Sequence, residues 1–309
     1  MEKKRFNILL FSSLFAILSS RSIRLIKVEQ GTKQLLKTHY ESISHEEHIV
    51  AHRGFSGLEP DNTYESVDRA LNTPCVDMIE IDVRLTKDGK IVLHHDSFIN
   101  IDGVLVRLEN LDLDGIDETR IISRIPHNSV QNYLYDDALF LAHRWAEKDR
   151  EDRRIIRLEN FLEWYSFSKQ LIIDVKALDV NEYYMDELNY LLKDYKDDIF
   201  IQSDNYMFLI AMMKKYPQFK YFFIVNSFDD LIKMEDDFDG YTVKQSLLSM
   251  VAIKQDKKYL IWTINTSDLY LQLLHNSNYN DSMYIVTDQP DYMCALGSVK
   301  KLKGKNNSN

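Results

Sequence analysis

Short stretches of apolar residues alternate along the chain with longer stretches in which apolar residues recur every three or four positions. The short stretches are rich in β-branched and aromatic residues and predict strands, whereas the longer periodic stretches predict amphipathic helices. Eight strands are predicted, in chain order HIVAHR, DMIEIDVRLT, KIVLHHD, QLIIDVK, DIFIQS, FKYFFIVN, KYLIWTIN and MYIVTD.

Helical stretches separate most of these strands, and this alternation predicts an α/β fold with a parallel sheet covered on both faces. Eight such strands within about 250 residues predict a closed (β/α)8 barrel, the TIM barrel. The predicted barrel spans residues 48–296, with an insertion at about 97–155 after the third strand and a helix KQSLLSMVAIKQD before the seventh. Residues 1–47 are a separate lead-in, and residues 297–309 are predicted to be a disordered basic tail.

The N-terminal stretch MEKKRFNILLFSSLFAILSS differs from the rest of the chain. A basic start is followed by an apolar run that is too short to span a membrane and has the length of a signal-peptide core. Leu18 stands where cleavage after Ser20 would require a small residue. We therefore expect export or an uncleaved N-terminal membrane anchor, while a soluble amphipathic helix and a cytoplasmic location stay open.

The composition narrows the classes of function. The 309 residues are 45% hydrophobic, enough for one large core or two modest ones, and the net charge is −10. A sequence-independent nucleic-acid binder usually presents a basic face, so this charge argues against nucleic acid as a partner. A small phosphorylated substrate is compatible with the charge if a bound metal ion supplies positive charge. The sequence does not predict an oligomeric state.

The chain has two cysteines, Cys75 and Cys294, and no spacing of cysteine and histidine that is typical of a zinc site. We interpret the two residues as buried thiols between helices and strands. A single disulfide is the alternative if the chain is exported, because disulfides persist in oxidising compartments.

Carboxylates lie at the ends of two predicted strands, where a (β/α)8 barrel places its catalytic groups. Glu80 and Asp82 are two residues apart in IEIDV, so both side chains point to one face, the barrel interior. Two buried carboxylates repel each other unless a divalent cation lies between them, and oxygen ligands suit Mg²⁺ or Ca²⁺. Asp174 in IIDVK is a candidate third ligand, and Lys176 is a candidate phosphate contact. Carboxylates paired with arginines, or a buried ion pair of Asp174 with Lys176, are the structural alternatives.

Histidines end two further predicted strands. His52 and Arg53 end the first strand, and His95 with Asp96 ends the third. A histidine on each side of a scissile bond can act as a base and an acid near neutral pH. An arginine beside one of them can hold a phosphate through two parallel hydrogen bonds. For either histidine taken alone, a structural role is the alternative.

These residues fall within motifs that resemble the glycerophosphodiester phosphodiesterase family. In order, the motifs are HRGFSGLEPDNT, IEIDVRLTKDGKIVLHHD, LIIDVK, IWTIN and IVTDQP. The resemblance covers about residues 48–296 and is most specific from 52 to 96. It implies a (β/α)8 barrel that uses a divalent metal ion to hydrolyse glycerophosphodiesters to sn-glycerol 3-phosphate and an alcohol.

The resemblance also implies roles for individual residues. His52 would be the general base and His95 the general acid. Arg53 and Lys176 would contact the phosphate of a small phosphodiester substrate. The ligands of Ca²⁺ or Mg²⁺ would be Glu80, Asp82 and Asp174.

Several positions leave details open. Asp61, a candidate substrate contact in PDNT, and Asp174 stand where the family usually has the longer glutamate. Trp262 in IWTIN is another candidate substrate contact, with core packing as the alternative, and Asp288 is predicted to cap the closing helix. The segment SFINIDGV after the second histidine departs from the family, so the specificity for the alcohol group is not predicted.

Two other functions therefore stay open beside the phosphodiesterase. One is a phospholipase D-like activity on lysolipids, which an N-terminal membrane tie would suit. The other is a non-catalytic barrel that binds or scaffolds a partner, which the two aspartates in place of glutamates would suit.

Overall fold

The structure is a computed structural model that describes residues 47–101, 104–113, 122–123, 155–235 and 238–297. The strands in these ranges are β1 His48–Ala51, β2 Val76–Leu85, β3 Ile91–Leu93, β4 Phe98–Ile101, β5 Val104–Arg107, β6 Ile122–Ser123, β7 Gln170–Val175, β8 Ile199–Ser203, β9 Lys220–Val225, β10 Gly240–Lys244, β11 Lys258–Trp262 and β12 Tyr284–Thr287. The helices are α1 Tyr64–Leu71, α2 Leu158–Trp164, α3 Glu182–Leu192, α4 Tyr206–Lys215, α5 Phe228–Ile232, α6 Ser267–Leu274 and α7 at 290–297.

Parallel strands close into a barrel. Around it the order is β1, β2, β7, β8, β9, β10, β11 and β12, and β12 returns to pair with β1. At this seam Val50 of β1 lies opposite Val286 of β12 on one side and Met78 of β2 on the other. The prediction of an eight-stranded (β/α)8 barrel is confirmed.

One of the eight predicted barrel strands is wrong, although the predicted number of barrel strands is right. β3, predicted as the third barrel strand, pairs antiparallel with the outer end of β2 and lies outside the closed barrel. The barrel strand that the sequence analysis missed is β10, which pairs in parallel with both β9 and β11. Its sequence, GYTVK, follows an acidic stretch and is too short for its alternation of side chains to be recognised.

The helix predicted from KQSLLSMVAIKQD is also wrong. Only Gln245–Met250 is helical, as a short 3-10 helix, and residues 251–254 have no regular structure. Leu247, Leu248 and Val251 of this segment are buried. The helix-like spacing of these three apolar residues therefore belongs to a connecting segment that packs on the barrel without forming an α-helix.

Inward-pointing side chains fill the barrel below its mouth. The buried cluster consists of Val50, Met78, Ile172, Phe200, Phe222, Leu260 and Val286. Side chains alternate along a strand, so the residue two positions further along points inward again, above this layer. On β1, β2 and β7 that next inward residue is His52, Glu80 and Asp174, so the apolar layer forms the floor of a polar mouth.

A second, antiparallel sheet follows β3. It contains β4 between β5 and β6, and it belongs to the insertion predicted at 97–155. Its small core is separate from that of the barrel and consists of Val92, Ile99, Leu108, Leu111 and Leu113.

Other predictions fall outside the described residues. They concern the N-terminal lead-in up to residue 46, the remainder of the insertion at 114–121 and 124–154, and the tail from 298. Among the helices in the described ranges, none combines the length and the apolar character needed to span a membrane.

Cys75 and Cys294 form a disulfide, which corrects the interpretation of two free thiols. The bond joins residues 219 positions apart and links the turn before β2 to α7. Barrel closure explains the pairing. Because β1 lies between β12 and β2, the helix that follows β12 comes next to the start of β2.

Candidate active site

A cavity of about 450 Å³ opens at the carboxyl ends of the barrel strands. Every barrel strand, or the residue that directly follows it, contributes to the wall. This face of a (β/α)8 barrel carries the active site in enzymes, because groups from several strands meet there. The predicted site residues that line the cavity are His52, Arg53, Glu80, His95, Asp174, Lys176 and Trp262.

Glu80, Asp82 and Asp174 form a carboxylate cluster. One oxygen from each lies within 4.8 Å of the others, and the residues are only 2%, 1% and 5% exposed. Asp82 of β2 is in register with Asp174 of β7, which brings these side chains together. Within the described part of the chain, Oε1 of Glu80 and Oδ1 of Asp174 have no hydrogen-bond partner. Buried carboxylate oxygens without donors fit a divalent cation that prefers oxygen ligands, such as Ca²⁺ or Mg²⁺.

The protonation of the carboxylate cluster follows from its burial. Burial, together with Asp82 and Asp174, raises the pKa of Glu80. Burial, assisted by Asp82 and opposed by Lys176, raises the pKa of Asp174 to about 6. Burial also acts on Asp82, but Arg53 and Lys176 overcome it and hold the pKa of that carboxyl well below its usual range. Glu80 and Asp174 therefore keep their protons to higher pH than free carboxyl groups, and a divalent cation would compete with those protons.

Two cations border the carboxylate cluster. Nε of Arg53 lies 3.2 Å from Oδ2 of Asp82. Nζ of Lys176 lies 2.7 Å from Oδ2 of Asp174 and 3.3 Å from Oδ1 of Asp82. Asp61 does not belong to the described cavity lining, and its Oδ2 lies 3.4 Å from Nη1 of Arg53. The ion pairs considered as structural alternatives are therefore present, together with carboxylate oxygens that they leave without hydrogen bonds.

The turn after β1 fixes Glu80 through the backbone. Arg53 and Gly54 both have left-handed φ angles, of 56° and 75°. This turn directs the Arg53 backbone N–H to Oε2 of Glu80 at 2.8 Å and the Gly54 N–H to the Glu80 carbonyl at 3.0 Å. A Cβ at position 54 would lie 2.4 Å from Oγ of Ser66, so only glycine fits there.

His52 and His95 each contact a carboxylate through Nδ1. Nδ1 of His52 lies 2.6 Å from Oδ1 of Asp288, and Nδ1 of His95 lies 2.8 Å from Oδ1 of Asp96. Nε2 of His52 is 3.9 Å from Oε2 of Glu80, so this edge of the ring faces the carboxylate cluster. Burial lowers the pKa of His95, against the effect of the nearby carboxylates. A carboxylate at Nδ1 fixes the ring and leaves Nε2 for proton exchange.

Asp288 is a site residue that the sequence analysis missed, since only a helix cap was predicted there. Its carboxylate also accepts hydrogen bonds from Oγ of Ser56 at 2.9 Å and from Nδ2 of Asn265 at 2.6 Å. Burial opposes its ionisation, but His52 and Arg53 and the hydrogen bonds hold the pKa of Asp288 well below its usual range. In the sequence, Asp288 is visible only as a polar residue that follows the last strand. Its side chain reaches His52 only because the barrel closes.

Asn62 is a second site residue that was missed. Its Nδ2 donates to Oδ2 of Asp82 at 2.9 Å, and the Asp82 backbone N–H donates to Oδ1 of Asn62 at 2.9 Å. Asn62 has a left-handed φ of 57°, which asparagine tolerates better than most residues. The reciprocal pair fixes the orientation of Asp82, and its signal in the sequence was the polar loop PDNT.

Sequence comparison identifies relatives of this chain. The sequence profile of the glycerophosphoryl diester phosphodiesterase family matches residues 52–285. The Bacillus subtilis protein YhdW, named as a candidate glycerophosphodiester phosphodiesterase, is 28% identical over 268 residues, which cover 82% of this chain and 100% of YhdW.

Solved structures share the fold. A glycerophosphodiester phosphodiesterase from Agrobacterium tumefaciens has a TM-score of 0.59 at 18% identity, covering 81% of this chain and 99% of the other. A phosphodiesterase from Oleispira antarctica, solved in complex with the product sn-glycerol-3-phosphate, has a TM-score of 0.58 at 21% identity. The match covers 80% of this chain and 95% of the other. The family profile spans both histidines and the whole carboxylate cluster, and on that match the chain belongs to the glycerophosphoryl diester phosphodiesterase family.

Proposed function

We propose that the protein hydrolyses glycerophosphodiesters to sn-glycerol 3-phosphate and an alcohol, using Ca²⁺ or Mg²⁺ and two histidines. As a member of its family it is a glycerophosphodiester phosphodiesterase. The observation that carries the finer proposal is the buried carboxylate cluster bordered by His52 and His95, each of which contacts a carboxylate through Nδ1.

The cation would be held by Glu80, Asp82 and Asp174, whose unbonded oxygens suit it. A bound divalent cation supplies positive charge that polarises a phosphate oxygen and offsets the charge developing on the phosphate. Arg53 and Lys176 add positive charge at the cavity wall. This local charge suits an anionic diester, although the net charge of the chain is −10.

The two histidines serve different oxygens of the reaction: one accepts the proton of the attacking hydroxyl, and the other donates a proton to the leaving alcohol. His52 accepts at Nε2 the proton of the attacking hydroxyl. Attack by water gives sn-glycerol 3-phosphate directly, whereas attack by the substrate's own glycerol hydroxyl gives a cyclic phosphate that a second attack, by water, opens to sn-glycerol 3-phosphate. Asp288 holds the ring at Nδ1, and its negative charge stabilises the imidazolium that forms. His95 donates a proton from Nε2 to the oxygen of the leaving alcohol. Its pKa is lowered by burial, which makes the protonated ring a stronger acid.

Release of glycerol 3-phosphate from glycerophosphocholine tests this proposal. Purified protein is assayed with Ca²⁺, with Mg²⁺ and with chelator, beside His52→Ala, His95→Ala and the exposed control His275→Ala. We expect metal-dependent release that falls by about 100-fold or more in the first two variants and is retained in the control. A folded protein that binds either metal and releases no product would instead support the non-catalytic barrel.

A lysolipid is a second candidate substrate, favoured by the β4–β5 hairpin. Phe98, Val104 and Leu105 are exposed on this hairpin, which follows His95 closely in the chain. Exposed apolar side chains beside an active site can contact an acyl chain. Comparing kcat/KM for lysophosphatidylcholine and glycerophosphocholine separates the two candidates, because a lysolipid enzyme should prefer the first by at least tenfold.

We further propose that the protein is exported or anchored outside the cytoplasm by its N-terminus. The apolar N-terminal run and the disulfide of Cys75 with Cys294 support this, because disulfides persist in oxidising compartments. Mass spectrometry of protein from its own cells, with thiols blocked before lysis, should find the linked peptides. Reduced protein in the cytoplasmic fraction would contradict the proposal.

A further inference from the structure

The wall of the cavity formed by β9 and β11 carries two polar atoms without partners. Asn226 directly follows β9, Trp262 ends β11, and both side chains line the cavity. Oδ1 of Asn226 and Nε1 of Trp262 are shielded from solvent and form no hydrogen bond with any residue that the structure describes. Such atoms are rare in folded proteins and often mark a place where another group supplies the missing bond.

The strand register places these two residues at one level. Val243 of β10, the strand between them, lies opposite Val225 of β9 and Ile261 of β11. Asn226 and Trp262 each come one residue later, so two strand spacings, about 10 Å, separate their backbones. Both are an even number of residues beyond inward-pointing members of the barrel core, Phe222 and Leu260, so both side chains point into the barrel.

Their chemistry is complementary. The indole N–H of Trp262 can only donate, and Oδ1 of Asn226 can only accept. A hydroxyl can accept the first bond and donate the second, whereas a phosphate oxygen offers the acceptor no proton. The cationic side chains of the described cavity wall, Arg53 and Lys176, come from β1 and β7 and not from this wall. The pair therefore suits an uncharged hydroxyl and not a second anionic group.

The proposed proton transfers decide which arm of the diester reaches this wall. His95 follows β3, outside the barrel beside β2, and the leaving alcohol departs next to it. His52 directly follows β1, which pairs with β12 and β2, and it serves the attacking hydroxyl. Attack and departure occur on opposite sides of the phosphorus. When the attacking hydroxyl is the glycerol's own, the retained glycerol arm therefore lies on the His52 side of the cavity, where β12 leads on to β11 and Trp262.

We infer that Asn226 and Trp262 together bind the terminal hydroxyl of the retained glycerol arm and so determine specificity for glycerol. This inference rests on the proposed function, because it takes the roles of the two histidines from it. It assigns Asn226 a role that the sequence did not indicate, and it gives the indole N–H of Trp262 a specific partner.

The test compares two substrates that differ only in that hydroxyl: glycerophosphocholine and 2-hydroxypropyl phosphocholine, in which a methyl group replaces the terminal CH₂OH. Asn226→Leu, Trp262→Phe and the double variant are assayed in the full chain. The matched controls are Asn189→Leu, on α3, and Trp164→Phe, on α2, which lie on helices outside the cavity lining. Circular dichroism and thermal melting establish that each variant is folded.

Each single cavity variant should lower kcat/KM for glycerophosphocholine by roughly 10- to 100-fold, mainly through KM, because a lost partner leaves the other group unbonded. For the analogue without the hydroxyl, the same variants should change kcat/KM by less than about threefold. The double variant should lose little more than either single variant, because both residues bind one hydroxyl. The controls should match the wild type on both substrates.

An equal loss on both substrates would show that the two residues only shape the cavity, and would overturn the inference while leaving the proposed function intact. A loss below threefold on glycerophosphocholine would overturn it as well. If Asn226→Leu does not fold, Trp262→Phe alone decides. It keeps an aromatic ring and removes the second ring with its N–H, and the comparison of the two substrates separates the lost hydrogen bond from the lost volume. A wild-type protein that hydrolyses neither substrate would refute the proposed function, and the inference with it.

Discussion

Replacing Asp288 with asparagine should remove most of the activity of a protein that still folds and still binds metal. Burial opposes ionisation of Asp288, but His52 and its other partners hold the pKa of that carboxyl well below its usual range. The side chain is therefore charged at every pH at which the enzyme would be assayed. Asparagine has almost the same shape, so the substitution removes a full negative charge 2.6 Å from Nδ1 of His52.

The magnitude follows from the hydrogen bonds of Asp288. Oδ2 accepts from Nδ2 of Asn265, and an asparagine oxygen can keep that bond. The NH₂ group of the introduced asparagine then faces Nδ1 of His52 and stabilises the tautomer with the proton on Nε2. In that tautomer, Nε2 cannot accept the proton of the attacking hydroxyl. General base catalysis contributes typically 10²- to 10⁴-fold. We therefore expect kcat/KM to fall by about 100- to 10,000-fold, or about 3–5 kcal/mol of transition-state stabilisation.

The assay separates this effect from loss of metal. Kinetics with glycerophosphocholine at saturating metal are compared with metal affinity from isothermal titration calorimetry, in the wild type, in Asp288→Asn and in the exposed control Asp197→Asn. Metal affinity should change by less than about threefold, because Asp288 does not belong to the carboxylate cluster. A kcat/KM within threefold of the wild type would refute the reasoning. A parallel loss of metal affinity would show that Asp288 acts through the carboxylate cluster instead.

Four further predictions concern the carboxylate cluster and the disulfide. Asn62→Ala should weaken metal binding about 10- to 100-fold in calorimetry, because it frees Asp82 to reorient, and an unchanged affinity would contradict that role. Metal affinity should fall as the pH drops through about 6, where Asp174 takes up a proton, and a flat profile from pH 5 to 8 would contradict this. The stability of the metal-free protein should change in the opposite direction and fall as the pH rises. Because the pKa of Asp174 is raised in the folded state, its contribution to the free energy of unfolding is fully present below the unfolded value near 4 and is lost as the pH rises through about 6. Urea titrations at several pH values would measure this. Cys75→Ser should lower the free energy of unfolding by roughly 2–5 kcal/mol in urea titration, and the double variant with Cys294→Ser should match the single one.

The groups that lie within one strand could be predicted from the sequence. Glu80 and Asp82 share a face because side chains alternate along a strand, and this local rule holds whatever the neighbouring strands are. The same rule placed Asp174 and Lys176 together on β7. The fold class also follows from local patterns, because seven of the eight barrel strands and the helices between most of them have a recognisable periodicity, whereas β10 does not.

The contacts between strands could not be predicted in the same way. With β3 counted as a barrel strand, Asp82 and Asp174 would have been separated by it. They are in register because β3 leaves the barrel and β2 pairs directly with β7. The contact of Asp288 with His52 likewise depends on closure, which no local pattern encodes. Sequence periodicity therefore predicts which residues point inward, and strand order decides which of them meet.

The seam of the barrel joins the two ends of the folded chain. His52 and Asp288 are 236 residues apart, and the helix after β12 carries the second cysteine of the disulfide. A chain still emerging from the ribosome, or cut before its last strand, has all three residues of the carboxylate cluster and lacks Asp288, the partner of His52. The contact of His52 with Asp288 can therefore form only after the last barrel strand has been made and the barrel has closed.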